Sequence, residues 1–331
     1  MNGEATRNGD VKIIPMKGEK FASFEKSARS QQGMAIWKDR AFLFYHGGSC
    51  DAMDLKSRKV ISAFRLESYT GDGRGPYINH ANQAIFSHCA PDSGTDIPVV
   101  YITAGNDAGM DEDGYYGRCI TERIAVNRDD GTETYSAHTL QTIIYNDAGR
   151  KKGQMGKYAD AGISVYEPPC WGWPSFIPDT QEKFLYLFSA RYRTKLREFD
   201  AVNSYIITKF RLPELKDGRK VILKPEDILD QFMAEYLETG ATQGGMLYRG
   251  KIFYTFGFGR DDFPDALRIY DLKKRRLIGG IDLSGSVFAG EEIESCGVYE
   301  GNLLCNTNAG GIYSLGDIDR LLLQFESAEE L

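Results

Sequence analysis

Gln243–Thr255 reads QGGMLYRGKIFYT, and Gln32–Phe44 reads QGMAIWKDRAFLF; the two align without a gap. Glu294–Asn306, ESCGVYEGNLLCN, is a third copy. Each is a short strand, a polar two-residue turn (Lys38-Asp39, Arg249-Gly250, Glu300-Gly301) and an apolar strand. That order is the signature of a β-hairpin. A second motif follows. Met53–Leu66 (MDLKSRKVISAFRL) matches Tyr270–Leu283 (YDLKKRRLIGGIDL) and Phe199–Leu212 (FDAVNSYIITKFRL). In all three an Asp opens a turn and an apolar pair begins six residues later. The Asp carboxylate can bind turn amides, and alternating apolar residues behind it face a core, so this predicts a second hairpin.

Two hairpins make a four-stranded meander, and repetition at this scale marks a radial or stacked array. The chain resembles the β-propellers, and the predicted fold is all-β: a five-bladed propeller of four-stranded antiparallel blades. One domain spans residues 1–331, with blades near 32–66, 80–145, 173–212, 243–283 and 294–325. The last strand of the fifth blade is either Arg320–Phe325 or the N-terminal segment Val11–Met16, which would close the ring. Pro225 followed by two acids, with apolar residues at 228, 229, 232, 233 and 237, predicts an insertion helix over 225–238.

Composition narrows the function classes. The 331 residues include 36 Gly and 37 Tyr or Phe, which fits turns and aromatic strands and excludes a disordered or collagen-like chain. The net charge of −7 argues against a nucleic-acid partner. No stretch approaches the roughly 18 apolar residues of a membrane span. The first residues, MNGEATRNGDVK, lack the apolar run of a signal peptide. The expectation is a monomer, secreted or periplasmic with its leader absent from this chain, the cytoplasm being the alternative. Six cysteines without CxxC spacing read as buried small hydrophobes rather than a disulfide framework.

The resemblance to propellers implies that innermost strands line a central axis and that ligands bind where those strands begin. The repeat then places Gln32, His80, Trp173, Gln243 and Glu294 on one ring, with Asn82 beside His80. His46 and Arg191 stand in loops on the same face, as do Asn106, Asp107, Tyr192, Arg193, Arg260, Asp261 and Asn306. Aromatic residues there, Tyr69, Tyr77, Tyr115, Tyr116, Tyr158 and Trp171, join amides and carboxylates in the manner of sugar sites. Polar inner-strand groups can equally hold water and satisfy backbone amides.

Five-bladed carbohydrate-active propellers share the expected architecture, although their carboxylate motifs are absent. That likeness covers roughly residues 30–325. A glycoside hydrolase needs two carboxylates; Glu294 lies on the ring, with Glu167, Glu291 and Glu292 near its mouth. A lyase acting on acidic sugars would use His80 or Tyr192 as its base, with Arg191 or Arg193 neutralising the uronate. A channel divalent metal, calcium or manganese, would draw on His80, Glu294 and the glutamines, and Asn106–Gly114 offers oxygen ligands. The expected function is binding of a polar small molecule, a carbohydrate, with glycoside processing as an extension. Its catalytic candidates are Glu294 and His80. The ligand-binding candidates are Gln32, His46, Asn82, Trp173, Arg191 and Gln243. The alternative is a protein-interaction scaffold. Phosphate-binding loops, dinucleotide fingerprints and nucleophile elbows are absent.

Overall fold

The computed structural model describes residues 6–8, 11–23, 30–68, 80–87, 95–105, 117–145, 174–192, 199–235 and 242–326. Three short strands come first: β1 (Thr6–Asn8), β2 (Val11–Pro15) and β3 (Glu19–Ser23). Blade one is β4 (Gln31–Trp37), β5 (Arg40–Tyr45), β6 (Ser49–Asp54) and β7 (Lys59–Arg65). Blade two is β8 (His80–Phe86), β9 (Val100–Gly105), β10 (Gly117–Asp129) and β11 (Thr132–Tyr145). Blade three holds β12 (Ser175–Asp179), β13 (Phe184–Tyr192) and β14 (Phe199–Arg211). The chain then forms β15 (Arg219–Leu223) before returning as β16 (Asp230–Glu235), the outer strand of blade three. Blade four is β17 (Thr242–Tyr248), β18 (Lys251–Phe256), β19 (Ala266–Asp271) and β20 (Arg276–Asp282). Blade five is β21 (Ile293–Tyr299), β22 (Asn302–Thr307) and β23 (Gly311–Asp317), followed by helix α1 (Ile318–Glu326). The result is a five-bladed β-propeller.

The turns form for the reasons the repeat implied. Arg249-Gly250 and Glu300-Gly301 both have two positive φ angles, 48° and 71°, then 47° and 77°. This mirror-image turn matches the twist of the flanking strands. Asp54 Oδ1 accepts from the Ser57 amide at 2.7 Å, and Asp271 Oδ1 from those of Lys273 and Lys274 at 2.9 and 2.8 Å. Asp179 does the same for Glu182 at 3.1 Å. In each, the residue four after the Asp (Arg58, Lys183, Arg275) is left-handed, which completes the turn.

Five apolar cores fill the five blade interfaces. Phe42 and Phe44 meet Ala81 and Ile102 between blades one and two. Ile143 meets Phe176 and Phe210 between two and three. Phe188 stacks on Tyr254 at 4.1 Å between three and four. Between four and five, Phe253 and Ile281 pack with Leu303, Tyr313 and the apolar face of α1. Met34 and Leu43 meet Tyr299 and Leu304 where five returns to one. Burying such side chains contributes about 1.5–3 kcal/mol each. The repeat's aromatic position adds a clasp to the next element round the ring. Trp37 Nε1 donates to the Asp96 carbonyl (2.9 Å), Tyr248 OH to Asp319 (2.9 Å) and Tyr299 OH to Asp39 (3.3 Å).

Four local expectations are corrected. Pro225–Asp227 is a single 3-10 turn, its entry held by Asp227 accepting from the Lys224 amide. The residues behind it form β16 rather than a helix, because β14 offers an open edge and Phe232 and Ala234 alternate into the core. Residues 236–238 lie outside the described set. Phe199–Arg211 is one strand with no hairpin at Asp200. Arg320–Phe325 is helical, because Ile318, Leu321, Leu322 and Phe325 repeat at helical spacing and are buried. Val11–Pro15 does not close blade five. It runs parallel to β20 on the edge of blade four, while β3 completes blade five against β23. Likewise β15 adds to blade two, parallel to β11, which the strand count had not foreseen.

Phe325 is 1% exposed, and its ring lies over Gly279, where a side chain would meet it. Phe325→Ala is expected to cost about 3–5 kcal/mol in chemical denaturation. Leu323→Ala, at a position 62% exposed, should stay within about 0.5 kcal/mol of the wild type. Equal effects at both sites would mean that α1 does not anchor the blade four–five interface.

Candidate functional site

At one level of four inner strands the pairing register breaks: between Gln31 and Met34, His80 and Gln83, Thr242 and Gly245, and Ile293 and Ser295. The residues left without a cross-strand partner are Gln32-Gly33, Ala81-Asn82, Gln243-Gly244 and Glu294. A bulge re-aims the side chain it carries, and here it does so on successive blades. The breaks unite Gln32, Asn82, Gln243 and Glu294, four of the sequence-expected residues. They also place Ala81, not His80, in the position equivalent to Gln32; the shorter blade-two match had slipped by one residue. The side chains of His80 and Arg191, and the whole of Trp173, lie outside the described set. So do Asn106, Asp107, Arg193, Glu167, the loop tyrosines, Trp171 and the 106–114 loop, and the side chain of Tyr192. His46 is exposed in the β5–β6 turn, its amide bonded to the Ser30 carbonyl at 2.9 Å. Arg260 and Asp261 sit in the β18–β19 loop, where Arg260 pairs with Asp262.

The strands meet closely at this level. A side chain at Gly244 would stand 2.8 Å from the Asn82 carbonyl and 2.8 Å from that of Glu294. Blade four therefore touches blade two across the axis, and only glycine fits. Side chains run outward from this contact. Gln32 Nε2 donates to Glu294 Oε1 (3.3 Å) and to Ser30 Oγ (3.0 Å), which is exposed. Gln243 Nε2 donates to the Gly257 carbonyl (2.9 Å) and to Glu292 Oε1 (2.6 Å). Glu292 Oε2 accepts from Asn308 Nδ2 at 3.1 Å, and both residues are partly exposed. Asn306 Nδ2 donates to the Gln32 carbonyl at 2.7 Å, and Thr255 Oγ1 to that of Glu294 at 3.1 Å. A polar path thus leads from the buried axis to the surface.

Among the described residues, several buried oxygens on this path have no hydrogen-bond partner: Gln32 Oε1, Asn82 Oδ1, Asn306 Oδ1 and Asp265 Oδ2. The assignment is constrained for Asn306, whose nitrogen donates to a backbone carbonyl. Burial pushes the Glu294 carboxyl well above the usual carboxylate range, and Glu292 and Asp265 push it further. Burial likewise raises Glu292, partly offset by bonds from Gln243 and Asn308. Asp265, whose Oδ1 accepts from the Gly259 amide, is raised to about 7, first by burial and then by Glu292 and Glu291. Asp265 had no signal in the repeat, because it ends an insertion unique to blade four. Among the described residues, no group of three or more His, Cys, Asp or Glu is placed to hold a metal ion, so the metal expectation gains no support there. Cys50, Cys119, Cys296 and Cys305 are free and buried.

No known family model matches the chain, and no curated protein does. Among solved structures, the computationally designed Ika8 protein aligns at 8% identity over 90% of this chain and 100% of its own, with a TM-score of 0.37. Glutaminyl cyclase of Myxococcus xanthus aligns at 9% identity over 91% of this chain and 94% of its own, with a TM-score of 0.36.

Asp265 has a pH consequence. Its ordinary value is 3.8 and its folded value about 7, so between them the folded state holds more protons than the unfolded chain. Its contribution to stability therefore falls as pH rises through that window, by up to about 1.4 kcal/mol per pH unit. Glu133, held down to about 2 chiefly by Arg40, acts in the opposite sense and only at lower pH. Asp265→Asn should flatten the decline measured by denaturant titration between about pH 4 and pH 7. Identical slopes in variant and wild type would show that Asp265 titrates as an ordinary carboxylate.

Proposed function

We propose that the protein binds a small polar ligand, a carbohydrate, at the mouth of the propeller axis. The observation that carries this reading is the set of coincident register breaks, which aim amides and a carboxyl at one place and leave buried acceptor oxygens unpartnered. Leaving a buried polar atom unpaired costs about 1–3 kcal/mol, so four together are expensive for a scaffold and useful for a ligand. Sugar hydroxyls donate as well as accept, and match an acceptor-rich site. The closed contact at Gly244 means that the ligand sits at the mouth, between Ser30, Glu292 and Asn308, and does not thread the axis. In this reading Gln32, Gln243 and Asn82 orient hydroxyls and Glu294 is the innermost contact. A carboxyl whose burial makes it hold its proton more tightly than usual would also suit a general acid for a glycosidic oxygen, so glycoside processing is an extension of the same site.

The second reading, a protein-interaction scaffold, draws support from the crossover joining blades two and three. Leu215, Ile222 and Leu229 are exposed along it.

A thermal-shift series with neutral oligosaccharides separates the two. A ligand at a hundredfold excess over its Kd stabilises the wild type by about 2.7 kcal/mol, and a Gln32→Ala/Glu294→Gln variant should lose that gain. If no sugar moves the folded wild type, the carbohydrate reading fails, and partner capture with a Leu215→Ser/Leu229→Ser control becomes the deciding test.

A further inference from the structure

We infer that the ligand carries a protonated amine on a hydroxylated frame, an amino sugar or amino polyol, with the amine seated between Glu292 and Glu294. This rests on the mouth being a ligand site and names the chemical class it selects. Hydroxyl binding alone does not explain the charge pattern. Three carboxyls, Asp265, Glu292 and Glu294, share one small region; burial raises all three, Glu292 raises the other two further, and among the described residues no Lys, Arg or His acts on any of them. Buried acids are ordinarily paired, and an unpaired cluster is costly. The side chains around it do not supply the missing charge. Gln32, 3% exposed, turns its nitrogen to Glu294 and keeps Oε1 unpartnered; Asp265, 2% exposed, keeps Oδ2 unpartnered. Among the described residues, then, no cationic group lies at this point, and Gln32 Oε1 and Asp265 Oδ2 have no donor. An alkylammonium group supplies three N–H donors and one charge, while the hydroxyls of its frame reach the amides nearer the surface.

Binding a cation here drives the carboxyls to ionise, so protons should leave the protein as the ligand enters. Among the described residues, the charged or titratable groups facing the cluster are Asp265 from the β18–β19 loop, Glu291 and Glu292 from the segment before β21, Tyr313, which donates to Glu291, and the buried thiols of Cys296 and Cys305. The thiols lie far above neutrality and stay protonated, so the released protons come from the carboxyls. Affinity for the amine should rise with pH across the window in which Asp265 titrates, until the amine itself loses its proton.

The test is isothermal titration of the full chain at neutral pH with glucosamine and its short β-1,4 oligomers. The same sugars N-acetylated keep the frame and lose the charge. Titrating in two buffers of different ionisation heat counts the protons released. The expected result is that the amines bind about tenfold or more tightly than their acetylated counterparts. Their binding should release protons, and Glu294→Gln should abolish that release and weaken the amines by a larger factor than it weakens the acetylated sugars. Glu292→Gln, at a partly exposed position, is the second variant should Glu294→Gln fail to fold. Acetylated and free sugars binding alike, without proton release, would overturn the amine inference and leave the carbohydrate reading intact. Binding of neither overturns the amine inference, and the neutral-sugar series then decides the broader reading alone.

Discussion

Closing five sheets around one axis forces the innermost backbones together, and the rest of the architecture follows from that contact. Gly244 stands where any side chain would strike carbonyls of blades two and five at once, and Gly33 where one would strike the Ala81 carbonyl at 2.8 Å. Backbone this close cannot be solvated, so its polar groups must be satisfied by side chains from neighbouring blades. They are: Asn306 binds the Gln32 carbonyl, Thr255 that of Glu294, Gln83 that of Phe176, and Thr103 accepts from the Phe176 amide. The register breaks belong to the same solution. Strands that must bend toward an axis insert an extra residue, and the inserted residue points somewhere new. The polar ring is therefore a geometric consequence of closure before it is anything else. What closure does not require is that some of its oxygens go unpaired.

The outer edges pose the complementary problem, since each blade ends in a strand with unsatisfied donors and acceptors. The chain solves it by exchange. β2 lies on blade four and β3, a few residues later, on blade five, so one short segment staples two blades. β15 lies on blade two and β16 on blade three, which staples another pair. Each staple makes two sheets depend on one stretch of chain.

This explains which features were legible in the sequence. Hairpins repeated in blades one, four and five could be read because their turns need particular residues: Asp at the start, Lys or Arg in the left-handed position, Gly in the tight turns. The inner-strand positions 32, 243 and 294 came with them. The staples could not be read, because β15, β16 and β2 are short edge strands whose pairing is decided by a distant partner. The apolar spacing at 228, 229, 232 and 233 fits a helix as well as a strand, and only the free edge of β14 settles it. His80 falls one residue early because the blade-two match is short; the same bulge in both strands makes Ala81–Phe86 the gapless counterpart of Gln32–Trp37. Asp265 escaped notice because an acid at the end of an unrepeated loop looks like any solvated carboxylate until the fold buries it.

The distribution of stability is instructive in the same terms. The acid cluster lies at the junction of blades four and five, where desolvation of like charges works against folding. That junction also holds the largest of the five apolar cores among the described residues, is capped by α1, and is bordered by both strands of the N-terminal staple. Lys12 of β2 even reaches the Gln324 carbonyl in α1 at 3.2 Å, tying one terminal segment to the other. A ring is only as strong as its weakest interface, because opening one releases all. An unfavourable cluster is thus best tolerated at the interface with most apolar burial behind it. Local rules broken at a site and compensated around it are the pattern expected where a structure does something besides fold. The blade four–five junction shows that pattern at residue level: buried acids with no counter-ion among the described residues, and a reinforced core immediately outside them.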